Sequence, residues 1–252
     1  MRLRLIRHAS LVIELATSRL LVDPQLDPPE ARPAVEGTAN DRRNPLVALP
    51  EPATRFVEGA DAALITHLHT DHLDPTAVEL LPWGLPLIAQ PDDEAALRDQ
   101  GFTCVHPVAR ALDFEGITII RTAGRHGRGE IGDAMAPVSG FVLRAPGEPV
   151  VYIAGDTIWC EEVAAALEEH RPDVVALNAG AAQFREGGPI TMTADDVCET
   201  ARAAPRAVIV AVHLEAINHC LEDRATLASA LSGAGLAERV RIPLDGEWIE
   251  YS

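Results

Sequence analysis

The chain has 252 residues, 47% of them hydrophobic and 23% charged, with a formal net charge of −17. That balance suits a globular protein able to bury a substantial core, while so acidic a surface repels phosphate backbones and anionic headgroups and argues against nucleic-acid or membrane partners. Cys104, Cys160, Cys198 and Cys220 form no Cys-x-x-Cys pair, which argues against a zinc ribbon or a disulfide framework. The opening residues 1–8 lack the long apolar core of a secretion signal, and no apolar stretch reaches bilayer-spanning length, so the expected location is the cytoplasm.

In chain order, residues 11–15 and 20–22 read as strands joined by the polar turn Thr17-Ser18-Arg19, a hairpin entering the core. Residues 27–52 are rich in proline and charge, with little periodicity. They predict a long surface loop, of a length that in compact domains often serves as a lid. The apolar run Ala62-Ala63-Leu64-Ile65 predicts a strand. A proline-led helix follows over 75–81, then a strand over 85–89. A second helix covers 91–98, with acids in its first turn and Gly101 beyond its end. Strands are expected at 117–122, 140–143 and 150–154. The last third alternates: helix 161–170, strand 174–177, helix 194–204, strand 208–212, helix 223–231 and strand 240–242. Such a mixture fits two sheets with helices outside them. With no repeat and no linker, one domain over 1–252 is expected.

The chemistry is concentrated in Thr66-His67-Leu68-His69-Thr70-Asp71-His72-Leu73-Asp74, directly after the 62–65 strand. Buried imidazoles and carboxylates are costly unless something satisfies them, and this mixture is a natural donor set for a borderline metal such as zinc. His67 and His69 are two apart, so an extended backbone leaving a strand points both the same way. After the turn, Asp71 and His72 can reach a second point nearby. Two ligand pairs in one loop suggest two metal ions.

His-x-His-x-Asp-His after a strand resembles the signature of the metallo-β-lactamase superfamily. Further positions match that family's pattern in order: Asp23 in Leu20-Leu21-Val22-Asp23-Pro24, His126 in His126-Gly127, Asp156 in Gly155-Asp156-Thr157, and His213 after the run 207–212. The resemblance implies an α/β fold: a four-layer αββα sandwich of two mixed sheets with helices on both outer faces. It also implies a hydrolytic centre in which His67, His69 and His126 hold one divalent ion, Asp71, His72 and His213 hold a second, and Asp156 bridges them. Zinc is the first expectation, with manganese or iron as alternatives. Paired ions would make a hydroxide at neutral pH that attacks a carbonyl or phosphoryl centre, with no protein nucleophile needed. The chain has no Gly-x-Ser-x-Gly elbow.

Around this centre, Asp23 and Asp74 are candidates to hold the outer nitrogens of ligand imidazoles. Asp71 and His219 are the candidate catalytic groups, His219 as proton donor to a leaving group. Asn178, Glu215 and Asn218 are candidates for substrate binding. The pair Arg7-His8 also resembles the opening of histidine phosphatases, but residues 10–15 continue as a strand where that family needs a loop and helix. His8 is then near the metal pocket or on a sheet surface.

The expected function is therefore hydrolysis of a small-molecule ester, lactone, thioester or phosphodiester. The late Gly-Asp-Thr and strand-His patterns look more like lactonase and phosphodiesterase branches than antibiotic-degrading enzymes. An iron-binding redox or non-catalytic metal protein on the same fold is the alternative. Fold alone does not choose the substrate, and homo-oligomer formation stays open.

Overall fold

The computed structural model describes residues 1–135 and 137–251. Its first seven-stranded sheet contains β1 (Arg2–Arg7), β2 (Ser10–Leu15), β3 (Ser18–Val22), β4 (Ala62–Ile65), β5 (Leu87–Ala89) and β6 (Val105–Pro107). The second contains β7 (Ala111–Phe114), β8 (Ile117–Ala123), β9 (Ser139–Arg144), β10 (Val151–Ile153), β11 (Val174–Asn178), β12 (Val208–Val212) and β13 (Val240–Arg241). The last strand, β14 (Trp248–Glu250), returns to pair with β1. The sheet orders are β14-β1-β2-β3-β4-β5-β6 and β13-β12-β11-β10-β9-β8-β7.

Side-chain alternation along each strand generates the layers. On β4, Ala62 and Leu64 face the opposite sheet, where they join Phe141, Ile153, Ala176 and Val210 in a core between the sheets. Ala63 and Ile65 face outward, against Phe56, Ala77 and Leu97. These three come from the short helices α1 (Thr54–Val57), α2 (Pro75–Leu80) and α3 (Glu94–Asp99). On the other sheet, Val175, Leu177, Ile209 and Ala211 face Val163, Val197, Ala201 and Leu227. Those belong to α5 (Glu161–His170), α6 (Ala194–Ala203) and α7 (Arg224–Gly233). One further helix, α4 (Gly129–Met135), lies between β8 and β9 in sequence. Strands buried on both faces read as unbroken apolar runs, which is why β4, β11 and β12 were legible. The result is the expected αββα sandwich.

β1, β6, β7, β14, α1 and α4 were not anticipated. β1 pairs Leu3 with Ile249, so it depends on the far end of the chain. β6 and β7 are three and four residues long, and α4 carries two glycines that disguise a helical pattern. Residues 27–52 have no helix or strand, as expected. Yet Asp27, Thr38 and Asn44 are buried, and an antiparallel bridge joins Arg32 to Asn44.

Strand direction positions the site. β1 and β3 are each antiparallel to β2, and β3 is parallel to β4. β8 and β10 are each antiparallel to β9, and β10, β11 and β12 are parallel. The carboxyl ends of seven strands therefore lie along one edge of the sandwich.

Candidate metal centre

Each of those seven strands delivers a polar residue at or just past its end: His8, Asp23, the 66–72 loop, His126, Asp156, Asn178 and His213. His67 Nε2 lies 2.9 Å from His69 Nδ1, and His126 Nε2 lies 3.3 Å from the same atom. Asp156 stands between two imidazole groups. Its Oδ2 is 3.2 Å from His72 Nε2 and 3.3 Å from His126 Nε2, while its Oδ1 is 3.4 Å from His213 Nε2. His213 Nε2 is also 3.6 Å from Asp71 Oδ2. Two sets of donor atoms, one from His67, His69, His126 and Asp156 and one from His8, Asp71, His72 and His213, each lie within 4.8 Å of one another.

These residues fit divalent cations. The Nε2 atoms of His72 and His213 are buried without a hydrogen-bond partner, a costly state unless something electropositive faces them. Three ring nitrogens of the first set converge on each other, which neutral imidazoles with no cation between them would not favour. Nitrogen donors with shared carboxylates suit a borderline ion.

The outer atoms of the ligands are held as well. Asp23 accepts from the Thr66 amide at 2.8 Å and the Thr66 hydroxyl at 2.7 Å, and its Oδ2 is 2.9 Å from His72 Nδ1. His126 Nδ1 donates to the Ile190 carbonyl at 2.7 Å. Such contacts set ring orientation and tautomer. Burial opposes charge on His72, but the Asp156 and Asp23 carboxylates prevail and raise it to about 10. Burial also opposes charge on His213, which Asp156 nevertheless raises well above the usual histidine range. Burial pushes His67 well down, and lowers His126 and His8, the last to about 3. Desolvation opposes charge on the half-buried Asp71 and the buried Asp156, yet the surrounding imidazoles hold both well below the ordinary carboxylate range.

Backbone shape matters at Gly180, φ +91°, where a Cβ would stand 2.5 Å from the His213 carbonyl oxygen. Only glycine lets that turn approach the His213 strand end.

Five expected roles change. Asp74 touches no imidazole. It caps α2 by accepting from the Ala77 amide at 2.8 Å and also accepts from the Asp27 amide, because its loop has already turned into the helix. Asn178 faces Asp156, donating to Oδ1 at 2.7 Å, so it steadies a ligand carboxylate. Glu215 turns away to the Arg224 amide and guanidinium. Asn218 is buried under the 27–52 segment: its Oδ1 accepts from the Val35 amide and Asn44 Nδ2, and its Nδ2 donates to the Thr38 hydroxyl. His219 does line the pocket. Burial lowers it to about 4, so it is neutral near pH 7 and cannot act there as a charged acid.

The pocket over the centre has a volume of about 440 Å³. His69, His126, Asp71 and Asp156 form its floor, and Val35, Pro45, Met135, Phe184, Ile190 and Ile217 are among its walls. Its single arginine, Arg32, is bound through Nε and Nη2 to the Asp27 carboxylate at 2.7 and 3.0 Å. Apart from the 27–52 segment, the walls were not foreseen, because they come from four separated segments with no shared motif. His8 was noticed but not assigned. The signal that could have found it is the one that marks His67 and His213, a histidine ending an apolar strand.

The Beta-lactamase superfamily domain matches residues 18–214. The chain is 35% identical over 250 residues to the UPF0173 protein YddR of Bacillus subtilis, covering 98% of each. It is 28% identical to a UPF0173 metal-dependent hydrolase of Methylobacterium nodulans, again over 98% of each chain. Among solved structures, it resembles an isothiocyanate hydrolase from Delia radicum gut bacteria with a TM-score of 0.95 and 37% identity, over 100% of this chain and 99% of that one. A possible metal-dependent hydrolase from Veillonella parvula also gives a TM-score of 0.95, with 32% identity over 99% and 98%. The chain belongs to the beta-lactamase superfamily, among the UPF0173 proteins. It is a metal-dependent hydrolase of the metallo-β-lactamase fold. Among the described residues, no helix is long and apolar enough to cross a membrane.

Proposed function

We propose that this enzyme uses two divalent cations, zinc in the first instance, to hydrolyse a small uncharged electrophile, and that an isothiocyanate is the leading substrate class. The observation that carries this reading is the apolar, cation-poor pocket above the two imidazole groups. An anionic phosphodiester would find charge complement only at the cations, because the pocket arginine, Arg32, is already paired with Asp27, whereas an apolar substituent is desolvated favourably against Phe184, Ile190 and Ile217. Isothiocyanate hydrolysis is also the activity named for the similar Delia radicum gut-bacterial enzyme. Lactones, esters and thioesters satisfy the same uncharged criterion.

His67, His69, His126 and Asp156 would hold one cation, and Asp71, His72 and His213 with Asp156 the other. Ions so held supply Lewis acidity and a water of lowered pKa. The chain's own part is positional. Asp23 fixes the ring of His72, and Asn178 fixes Asp156. The apolar walls exclude competing water, and His219, neutral near pH 7, offers the substrate a hydrogen bond rather than a full proton charge. For an isothiocyanate, the water oxygen bonds to the central carbon and a proton reaches the nitrogen. The second proton of that water passes from the resulting thiocarbamic acid to the nitrogen as the carbon–nitrogen bond breaks, giving a primary amine and carbonyl sulfide with one water consumed.

The test is a substrate panel run on zinc-loaded protein: benzyl isothiocyanate, a lactone, a thioester and a bis-aryl phosphodiester, each with wild type and His69→Ala. Turnover of the isothiocyanate or another uncharged member, lost in His69→Ala, is the expected result. Turnover confined to the phosphodiester would overturn the reading.

A further inference from the structure

His8 follows β1, on the strand edge where the two donor sets meet, and nothing in the ligand pattern of residues 67–213 requires it. It is 1% exposed. Its Nε2 lies 3.1 Å from Asp71 Oδ2, and among the described residues it is the hydrogen-bond partner of that carboxylate. Its ring lies against that of His213, with centroids 3.6 Å apart and a 38° tilt. The His213 amide donates to the His8 carbonyl at 2.8 Å.

This placement is held at a cost. His8 has φ +58° and His213 φ +64°, a region that non-glycine residues enter only where surroundings over-determine it. What holds it is the neighbouring Arg7, fully buried, whose guanidinium donates to Gln25 Oε1 and to the carbonyls of Gln25, Asp27 and Val47, all at 2.9 to 3.0 Å. A register shift between Leu5 and Arg7 in the β1–β2 pair turns the chain into that position. Strand end, anchor and ring stack thus aim one imidazole nitrogen at one carboxylate oxygen.

We infer that His8 is a positioning residue: its Nε2–H holds Asp71 Oδ2, fixing the carboxylate for the second cation without itself ligating either ion. Asp71 sits beside the exposed Thr70 in a loop, so its carboxylate has little else to restrain rotation. An N–H on one oxygen leaves the other free to bind. Loss of such an outer partner typically weakens metal affinity about 10- to 100-fold. This inference rests on the two-cation reading above.

Competition against a fluorescent zinc chelator tests it, with metal content per chain by mass spectrometry. Asparagine tolerates positive φ, but the amide of His8→Asn stops at the level of Nδ1, while that of His8→Gln reaches the level of Nε2. His8→Asn is expected to bind the second zinc about 10- to 100-fold more weakly and the first unchanged, with His8→Gln restoring most of the difference. Unchanged second-site affinity in His8→Asn overturns the inference alone. A wild type that takes up one zinc sinks the two-cation reading and this inference with it. The wild type also gives an independent answer through histidine-15N spectra of protein loaded with 113Cd. Cadmium coupling to His72 and His213, together with an uncoupled and proton-bearing His8 Nε2, supports positioning. Coupling at His8 makes it a ligand and overturns the inference.

Discussion

Asn178 donates a 2.7 Å hydrogen bond to Asp156 Oδ1, the oxygen that faces His213. The bond fixes the plane of the carboxylate that lies between His72, His126 and His213. Replacing Asn178 by Ala removes that restraint without touching a candidate ligand. Total zinc affinity should fall about 10- to 100-fold. Chelator competition reads the change, and an unaltered circular dichroism spectrum separates it from unfolding.

Asp23 carries more of the fold. Its carboxylate accepts from the Thr66 amide and hydroxyl and faces His72 Nδ1. Asp23→Ala leaves three buried polar groups without that partner, each worth about 1–3 kcal/mol. Urea denaturation should show a loss of at least about 3 kcal/mol, accompanied by lower cation content. A variant as stable as wild type would contradict the role.

Cation loading should release protons. Asp156 and Asp23 keep His72 up at about 10 against the effect of burial, and Asp156 acts likewise on His213. A pKa raised above 7 means the imidazole is protonated at pH 7 before a cation displaces the proton. Calorimetric zinc titrations in buffers of different ionisation enthalpy should therefore show net proton release at pH 7. The apparent affinity should rise as pH is raised from 7 toward 9 and fall below 7. A buffer-independent enthalpy would contradict this.

Asn218 joins two parts of the pocket wall. It bonds to Val35, Thr38, Asn40 and Asn44 of the 27–52 segment from a position just before His219. Asn218→Ala should loosen that segment, making it the first site of cleavage in limited proteolysis. The effect on turnover should be mainly a higher KM, with cation content unchanged, since no donor atom moves.

Gly180 is a steric requirement. Gly180→Ala places a Cβ 2.5 Å from the His213 carbonyl at φ +91°, so the His213 strand end must shift. A drop in Tm of about 2–12 °C is expected for a cost of about 1–3 kcal/mol in a chain of this size.

The primary sequence alone indicated two sheets with helices outside, and its resemblance to the metallo-β-lactamase pattern implied the sandwich and most of the donor inventory. β4, β11 and β12 are short apolar runs of strand length, buried on both faces, and each leads into metal-binding or polar chemistry: the 66–72 loop, Asn178 and His213. Short-range pattern suffices there because burial of a strand is written in the strand itself. Only the tertiary structure decided what the remaining polar residues do. Asp74 became a helix cap, Asn218 a brace for the overlying segment and Glu215 a partner for Arg224, while His8 came to rest against Asp71 and His213. A hydrogen-bonding side chain takes its role from whatever packs opposite it, and those partners arrive from distant segments whose meeting no local spacing encodes.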